Sequence, residues 1–460
     1  MIGRKARVGQ NQQRSFCQYL LLGPRAMLQA RITAIAKALT LGIMAAVGNT
    51  SAAPPAGIPS RRESLEVLGA SAWQAAGYHG QGIRIAVLDT GFRGYRSHLG
   101  ECLPRTLECR SFRRDGNLEA RNSEHGILCG EIVHAVAPDA DLLFANWEDD
   151  QPEQFLEAVA WARNRGARIF SCSVIMPSWS DGEGGGSIEQ RLKRLLETRE
   201  SSGDALFFAS AGNTAQRHWR GTFHAGRAGW HEWRAGQSDN LLAPGTTEPI
   251  SIELYCRGTT TYELRVEDMG GAAVATGANG TDGRRTWSIA KFEPRSGSRY
   301  RVKVRLAAGD GGEFHLVALG ASLSETVASG SVCCPADARC VVAVGAMAVS
   351  GETCGYSSHT ATGTCIKPEL MAIVPFASSW RSRPFSGTSA AAPQAAGAAA
   401  LIWSRFPVKS AAEVKDALCQ AAHRLPSGVS SANSGQVALP GVVSPRQAPT
   451  DDPKASLSLR

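Results

Sequence analysis

The sequence predicts an α/β protein in which a parallel sheet, flanked by helices on both faces, is interrupted by an inserted antiparallel β module. Three observations predict it. From about residue 71, short continuous apolar runs alternate with helix-like segments; between about 249 and 320 the apolar period falls to two; from 340 the first pattern returns. Continuous apolar runs suit strands buried on both faces, and strict alternation suits strands with one face in water.

The elements follow in order. Residues 1–53 hold an N-terminal extension and, from Met27, a basic region with Arg31 and Lys37, an apolar run from Ala38 to Val47 and an exit of small residues at Ser51, Ala52 and Ala53. That is the pattern of a secretory signal peptide, so export to the periplasm or the medium is expected. Residues 54–70 read as a short linker. "IRIAVL" (83–88) and "DLLFANW" (141–147) are the first buried strands, and "PEQFLEAVAWARNRG" opens on Pro152 and closes on Gly166 as a helix should. "ARIFSCSV", "SIEQRLKRLLETRE" and "ALFFASAG" continue as strand, helix and strand, and repeated β-α-β of this kind implies a parallel sheet.

The pattern breaks near 219. "PISIELYC", "TYELRVED" and "RYRVKVRL" alternate apolar with polar residues, enough for a small β-sandwich over 219–330. "CVVAVGA" at 340, the helix after Gly387 and "AAEVKDALCQAAH" return to α/β, so 71–218 and 331–425 read as two parts of one domain around an insertion. The tail, 426–460, is rich in Pro, Ser, Gly and Asp and is expected to be disordered.

Bulk properties exclude several classes. In 460 residues with a formal charge of +8, the arginines are scattered and no basic run carries interleaved aromatics, so no nucleic-acid partner is expected. No window holds about 18 uninterrupted apolar residues, so no membrane span is expected once a signal is removed. Twelve cysteines suit an exported chain with disulfides, with Cys102 and Cys109, Cys354 and Cys365, and the group Cys333, Cys334 and Cys340 as candidate sites and the pairing open. No paired C-x-x-C spacing and no acidic calcium-loop spacing stands out. His218, His224 and His231, set among three tryptophans, read as an aromatic-lined junction in preference to a metal site. No metal ligand and no cofactor is therefore expected.

Four polar residues stand where chemistry could occur. Asp89 follows a buried strand at the carboxyl edge of the sheet, where sites gather in open parallel sheets. His125 opens a helix, and a neutral imidazole is what a general base requires. Asn213 ends the strand of "FFASAGN", from which its amide could reach a developing oxyanion. Ser389, in "SGTSAAAP", lies at a helix start, where free N–H donors and the positive dipole end favour a nearby negative charge. The small residues around it leave room for a substrate backbone, and the apolar helix behind anchors it.

Taken together and in order, "AVLDTG", "HG" at 125–126, "SAGN" and "GTSAAAP" resemble the aspartate, histidine, oxyanion-asparagine and serine motifs of the subtilisin-like serine proteases, the subtilases. The resemblance covers about 71–218 and 331–425. It implies a secreted endopeptidase acting on proteins or peptides, with Asp89, His125 and Ser389 as triad and Asn213 in the oxyanion hole. By the same resemblance Ser173, Val174, Ile175, Ser210, Ala211 and Gly212 would line the substrate cleft.

Four departures bear on that expectation. Ile127 and Leu128 follow "HG" where the family has Thr and a second His, and Cys129 falls one turn from His125, an arrangement open to thiol reagents. Val174, Ile175 and Met176 replace a wall in which the family tends to have glycine, which implies a narrow pocket for small side chains. Only a short stretch separates the signal from the catalytic region, so folding without a separate pro-domain is expected. The β insertion is expected to gate substrates, to bind a protein or a glycan, or only to stabilise. The alternative reading is a catalytically impaired subtilase fold that binds peptides without cutting them.

Overall fold

A computed structural model describes residues 58–121, 123–197, 204–245, 248–360, 366–423 and 435–441. The expected signal region lies outside the described residues, as does most of the expected disordered tail.

An eight-stranded sheet organises the α/β part. Its strands are β1 (Arg84–Leu88), β2 (Glu108–Ser111), β3 (Asp141–Asn146), β4 (Ile169–Cys172), β5 (Leu206–Ser210), β16 (Val342–Met347), β17 (Leu370–Ile373) and β18 (Gly435–Gln436). Their order is β18-β17-β16-β5-β4-β1-β3-β2, with every pairing parallel. Strand β1 shows why the apolar runs are continuous: Ile85 and Val87 point into one core, and Ala86 and Leu88 into the core on the opposite face.

Helices cover both faces. On the first lie α1 (Arg61–Leu68), α2 (Ala70–Ala75), α3 (His125–Val136), α6 (Thr388–Arg405) and α7 (Ala411–His423); on the second lie α4 (Pro152–Asn164) and α5 (Ser187–Glu197). The stretch read as a linker thus carries a helix, begun by a capping box in which Ser60 Oγ accepts from Glu63 N–H and the Glu63 carboxylate accepts from Ser60 N–H. Helix α6 is buried from Thr388 to Trp403. Its alanines let it lie against α3, and a Cβ added at Gly397 would fall 2.6 Å from the Val136 side chain. Inside the tail, 435–441 is ordered into the fold: β18 pairs with β17, and Trp73 Nε1 donates to the Pro440 carbonyl at 2.8 Å.

Ten antiparallel strands between β6 (His218–Thr222) and β15 (Ala321–Leu323) form two five-stranded sheets, β10-β9-β13-β7-β15 and β11-β12-β8-β14-β6. Here β7 is Asn240–Pro244, β8 Ile250–Arg257, β9 Thr261–Asp268, β10 Ala273–Thr276, β11 Ala278–Thr281, β12 Arg285–Phe292, β13 Tyr300–Ala308 and β14 Glu313–Leu319. Leu264, Val266, Val302 and Val304 from one sheet meet Ile252, Leu254, Phe314 and Leu316 from the other in a shared core. Residue alternation puts Tyr255 and Val317 on the outer face of the second sheet, where Ile175 and Cys333 pack against them. The expected aromatic junction is present: the His231 ring lies edge-on to Trp219, Trp233 and Phe314.

The disulfide expectation is corrected for Cys102, Cys109, Cys333, Cys334 and Cys340: no disulfide joins cysteines among the described residues. Cys102 is buried while Cys109 is exposed beside the Tyr95 hydroxyl, and Cys333 and Cys334 are each enclosed without bridging. Cys365 lies outside the described residues. Among the described residues no helix is long and apolar enough to cross a membrane.

Candidate active site

The carboxyl ends of β1, β4 and β5 and the first turns of α3 and α6 supply the site. Asp89 directly follows β1; its N–H donates to the Ala145 carbonyl, and its Oδ1 accepts from Gly91 N–H at 3.0 Å. The other oxygen, Oδ2, lies 2.6 Å from His125 Nδ1. That hydrogen bond fixes the imidazole with Nε2 directed away from Asp89. The Asp89 side chain is 1% exposed and the His125 side chain 32%, so the pair has a buried anchor and an accessible working end. His125 is set as the first residue of α3, with its N–H on Ser123 Oγ and the Phe385 ring edge-on to its imidazole.

Burial would lower the pKa of His125. The charge of Asp89, the Cys129 sulfur and their hydrogen bonds outweigh it and hold the ring well above the ordinary value of 6.5. Cys129 is itself buried, which pushes its thiol up. Its sulfur lies 3.9 Å from Asp89 Oδ2 and 3.7 Å from the Ser389 carbonyl, so it bridges the Asp-His pair to the serine segment.

Ser389 is the second residue of α6. In a regular helix its carbonyl would accept from the N–H four residues on, but that residue is Pro393, which has none. The freed carbonyl accepts from Ser173 Oγ at 3.1 Å, and the Ser389 hydroxyl donates to the Ser173 carbonyl at 3.4 Å. The Ser-x-x-x-Pro spacing therefore pins the serine to the end of β4 through both its oxygens.

Asn213 sits beside this helix start. Its Oδ1 accepts from Thr388 N–H and from Thr388 Oγ1, each at 3.0 Å, which leaves Nδ2 as the free donor end. Gly387 has φ +85°, and a Cβ there would lie 2.9 Å from Asn213 Nδ2. Only glycine keeps both the turn and the asparagine in place.

Of the expected cleft residues, Ser173 is the one tied directly to Ser389. Gly212 N–H donates to Thr388 Oγ1 at 3.1 Å, and Ile175 reaches to 3.6 Å from where a Gly212 Cβ would sit, so the two cleft walls face each other. Val174 is half-buried. Ser210 and Ala211 are buried, and Ala211 N–H donates to the Val344 carbonyl, which places them in the support of the cleft. Thr388 and Phe385 were not singled out from sequence. Thr388 could have been, since it immediately precedes Ser389, whereas nothing in the chain near Phe385 announces a ring packed on His125. Among the described residues Asp89, His125 and Cys129 bring ligand-type atoms within 4.8 Å of one another. The Asp89–His125 hydrogen bond already accounts for that closeness.

A family model described as the subtilase family matches residues 80–249 and 270–439, a span that includes all four residues of the site. A search of curated protein sequences returned no match. Among solved structures, the fold is similar to that of the CspB protease of Clostridium perfringens, at 15% identity over 81% of this chain and 96% of that one, with a TM-score of 0.59. A lanthipeptide protease (16% identity, 82% of this chain and 92% of that one, TM-score 0.45) and the MycP1 protease of a type VII secretion system (16%, 85% and 89%, 0.44) also align.

Proposed function

The chain belongs to the subtilase family, and on that premise we propose that it is a serine endopeptidase with Asp89, His125 and Ser389 as its catalytic residues. The observation that carries the proposal is the 2.6 Å Asp89–His125 pair packed against the start of the helix that bears Ser389. In the proposed reaction Ser389 Oγ rotates from the Ser173 carbonyl towards His125 Nε2 and attacks the peptide carbonyl carbon. Its proton passes to Nε2, and Asp89 stabilises the imidazolium while remaining ionised. Asn213 Nδ2 and Ser389 N–H donate to the oxyanion. The imidazolium returns its proton to the leaving amine as the C–N bond breaks, and a water activated by His125 then hydrolyses the acyl-enzyme.

The cleft wall supports a preference for small side chains next to the cleaved bond, because the Ile175 side chain lies 3.6 Å from where a Gly212 Cβ would sit. Export is proposed from the sequence pattern beginning at Met27. A second reading, peptide binding without cleavage, is favoured by one observation: the Ser389 hydroxyl bonds to the Ser173 carbonyl at 3.4 Å.

Hydrolysis of a denatured protein substrate separates the two readings. Cleavage is expected, with loss in Ser389→Ala and a fall of about 10²–10³ in kcat in Asn213→Ala, the magnitude found for the corresponding donor in another subtilase. A folded wild-type chain that binds the substrate and leaves it intact would favour the second reading.

A further inference from the structure

On the face of the sheet away from Ser389, the loop after β4, the start of α5 and the segment before β16 converge on a buried acidic cluster. Glu189 lies in the first turn of α5, 3% exposed, and neither of its carboxylate oxygens has a hydrogen-bond partner. Asp337 is 9% exposed; its Oδ2 accepts from the Ser180 hydroxyl while its Oδ1 has no partner. Cys334 is fully buried. One ligand atom from each of Glu189, Cys334 and Asp337 lies within 4.8 Å of the others.

Three buried, unsatisfied acceptor oxygens beside one another are costly unless a cation or a proton compensates them. Three nearby basic side chains are engaged with other partners. Lys193 pairs with Glu197 at 3.8 Å. Arg285 pairs with Asp282 and donates to the Ser178 carbonyl; Lys367 donates to the Ala338 and Val341 carbonyls and to Glu369. Burial, and then the charge of Asp337, push the Glu189 carboxyl up, so without a cation a proton offsets its charge. An entry path exists, because Glu189 also lines a surface cavity of about 310 Å³ with Gly184, Gly185, Arg339 and Cys340.

We propose that Glu189, Asp337 and Cys334 form a binding site for a divalent transition-metal cation of the Zn²⁺ type. The sulfur decides the class: two carboxylates and a thiolate suit a borderline-soft dication, whereas Ca²⁺ takes about six to eight oxygens. Bond lengths of about 2.0–2.3 Å are reached by small inward rotations of the three side chains. Water, or the neighbouring Asp181 carboxylate, completes four-coordination. Binding displaces the thiol proton of Cys334 and the carboxyl proton of Glu189 to solvent. The cation ties the start of α5 to the segment carrying Cys334, whose carbonyl accepts from Met176 N–H at 2.8 Å, one residue from Ile175.

The test uses the full chain carrying Ser389→Ala, stripped of metal with a chelator. Zn²⁺ is expected to bind at one ion per chain and to raise the thermal unfolding midpoint, and Co²⁺ to give a thiolate-to-metal absorption band. Cys334→Ser should abolish that band, and Glu189→Gln should weaken Zn²⁺ binding by at least about tenfold. Cys129→Ala, which removes the thiol beside His125, should leave both signals intact. Asp337→Asn serves as a second ligand variant should either of the others fail to fold by circular dichroism. A proton shared between the two acids, with no metal, predicts no midpoint rise and no cobalt band in the folded parent chain, and that result overturns the proposal. Signals that survive in Cys334→Ser and Glu189→Gln alike, or that vanish in Cys129→Ala, overturn it too.

Discussion

Ser389 is held by groups that its own helix cannot use. Because Pro393 offers no N–H, the Ser389 carbonyl turns outward to Ser173 Oγ and the Cys129 sulfur, and the Ser389 backbone is fixed from two other elements. His125 is governed by its partner in the same way: burial favours the neutral ring, and Asp89 with Cys129 favours the charged one and prevails. A general base must be neutral, and a raised pKa keeps the ring protonated to higher pH. The acid limb of kcat/KM should therefore lie above pH 6.5, with activity lost as pH falls through it. Replacing Asp89 with Asn removes the larger of the charges that oppose burial and should move the midpoint of Ser389 labelling down relative to the wild type. A wild-type limb below 6.5 would contradict the assignment of His125 as the base.

Elements bring these residues together by close approach. Gly397 of α6 lies against Val136 of α3, so the helix bearing Ser389 and the helix bearing His125 share a contact with no room for a side chain. Gly397→Val should cost about 1–3 kcal/mol by overpacking, read from the urea midpoint, with a loss of turnover beyond the loss of folded protein as the two helices part. Much at this scale was legible in the chain. The apolar runs of β1, β3 and β5, the Pro152 start of α4, and the small-residue stretch of α6 each carry a local signal. Other elements carry none. Strand β2 is Glu-Cys-Arg-Ser, polar because it lies at the sheet edge, and β18 has two residues that are strand only because β17 is beside them. Cysteine spacing misled, because nearness along the chain says nothing of burial: Cys102 faces the core and Cys109 faces solvent. The Ser173 contacts with Ser389 were equally unreadable, since they join residues 216 positions apart.

Across the whole molecule, the sandwich is set against the cleft wall and is not simply joined to the chain ends of the α/β part. Tyr255 and Val317 receive Ile175, and the Glu253 carboxylate accepts from Ser178 N–H at 3.0 Å. A buried histidine pair lies in the same sheet, with His218 Nε2 3.0 Å from His315 Nδ1. Burial lowers both, His218 to about 4, so the folded state prefers them neutral. The unfolded chain takes up these protons first, near pH 6.5. The pair's contribution is thus fully present above 6.5 and is lost as pH falls towards 4, by about 3 kcal/mol for His218 alone. Urea unfolding at pH 7 and pH 5 should show about 2 kcal/mol of that loss for His218, and His218→Gln should flatten it; unchanged stability between the two would contradict it.

The central claim is that Ser389 is a nucleophile activated by His125. The most direct measurement is labelling of the folded chain with a fluorophosphonate probe, mapped by peptide mass spectrometry beside Ser389→Ala and His125→Ala. The account predicts label on Ser389 in the wild type and none there in either variant. A wild-type chain that is folded by circular dichroism and unlabelled, or one labelled equally well without His125, would contradict it.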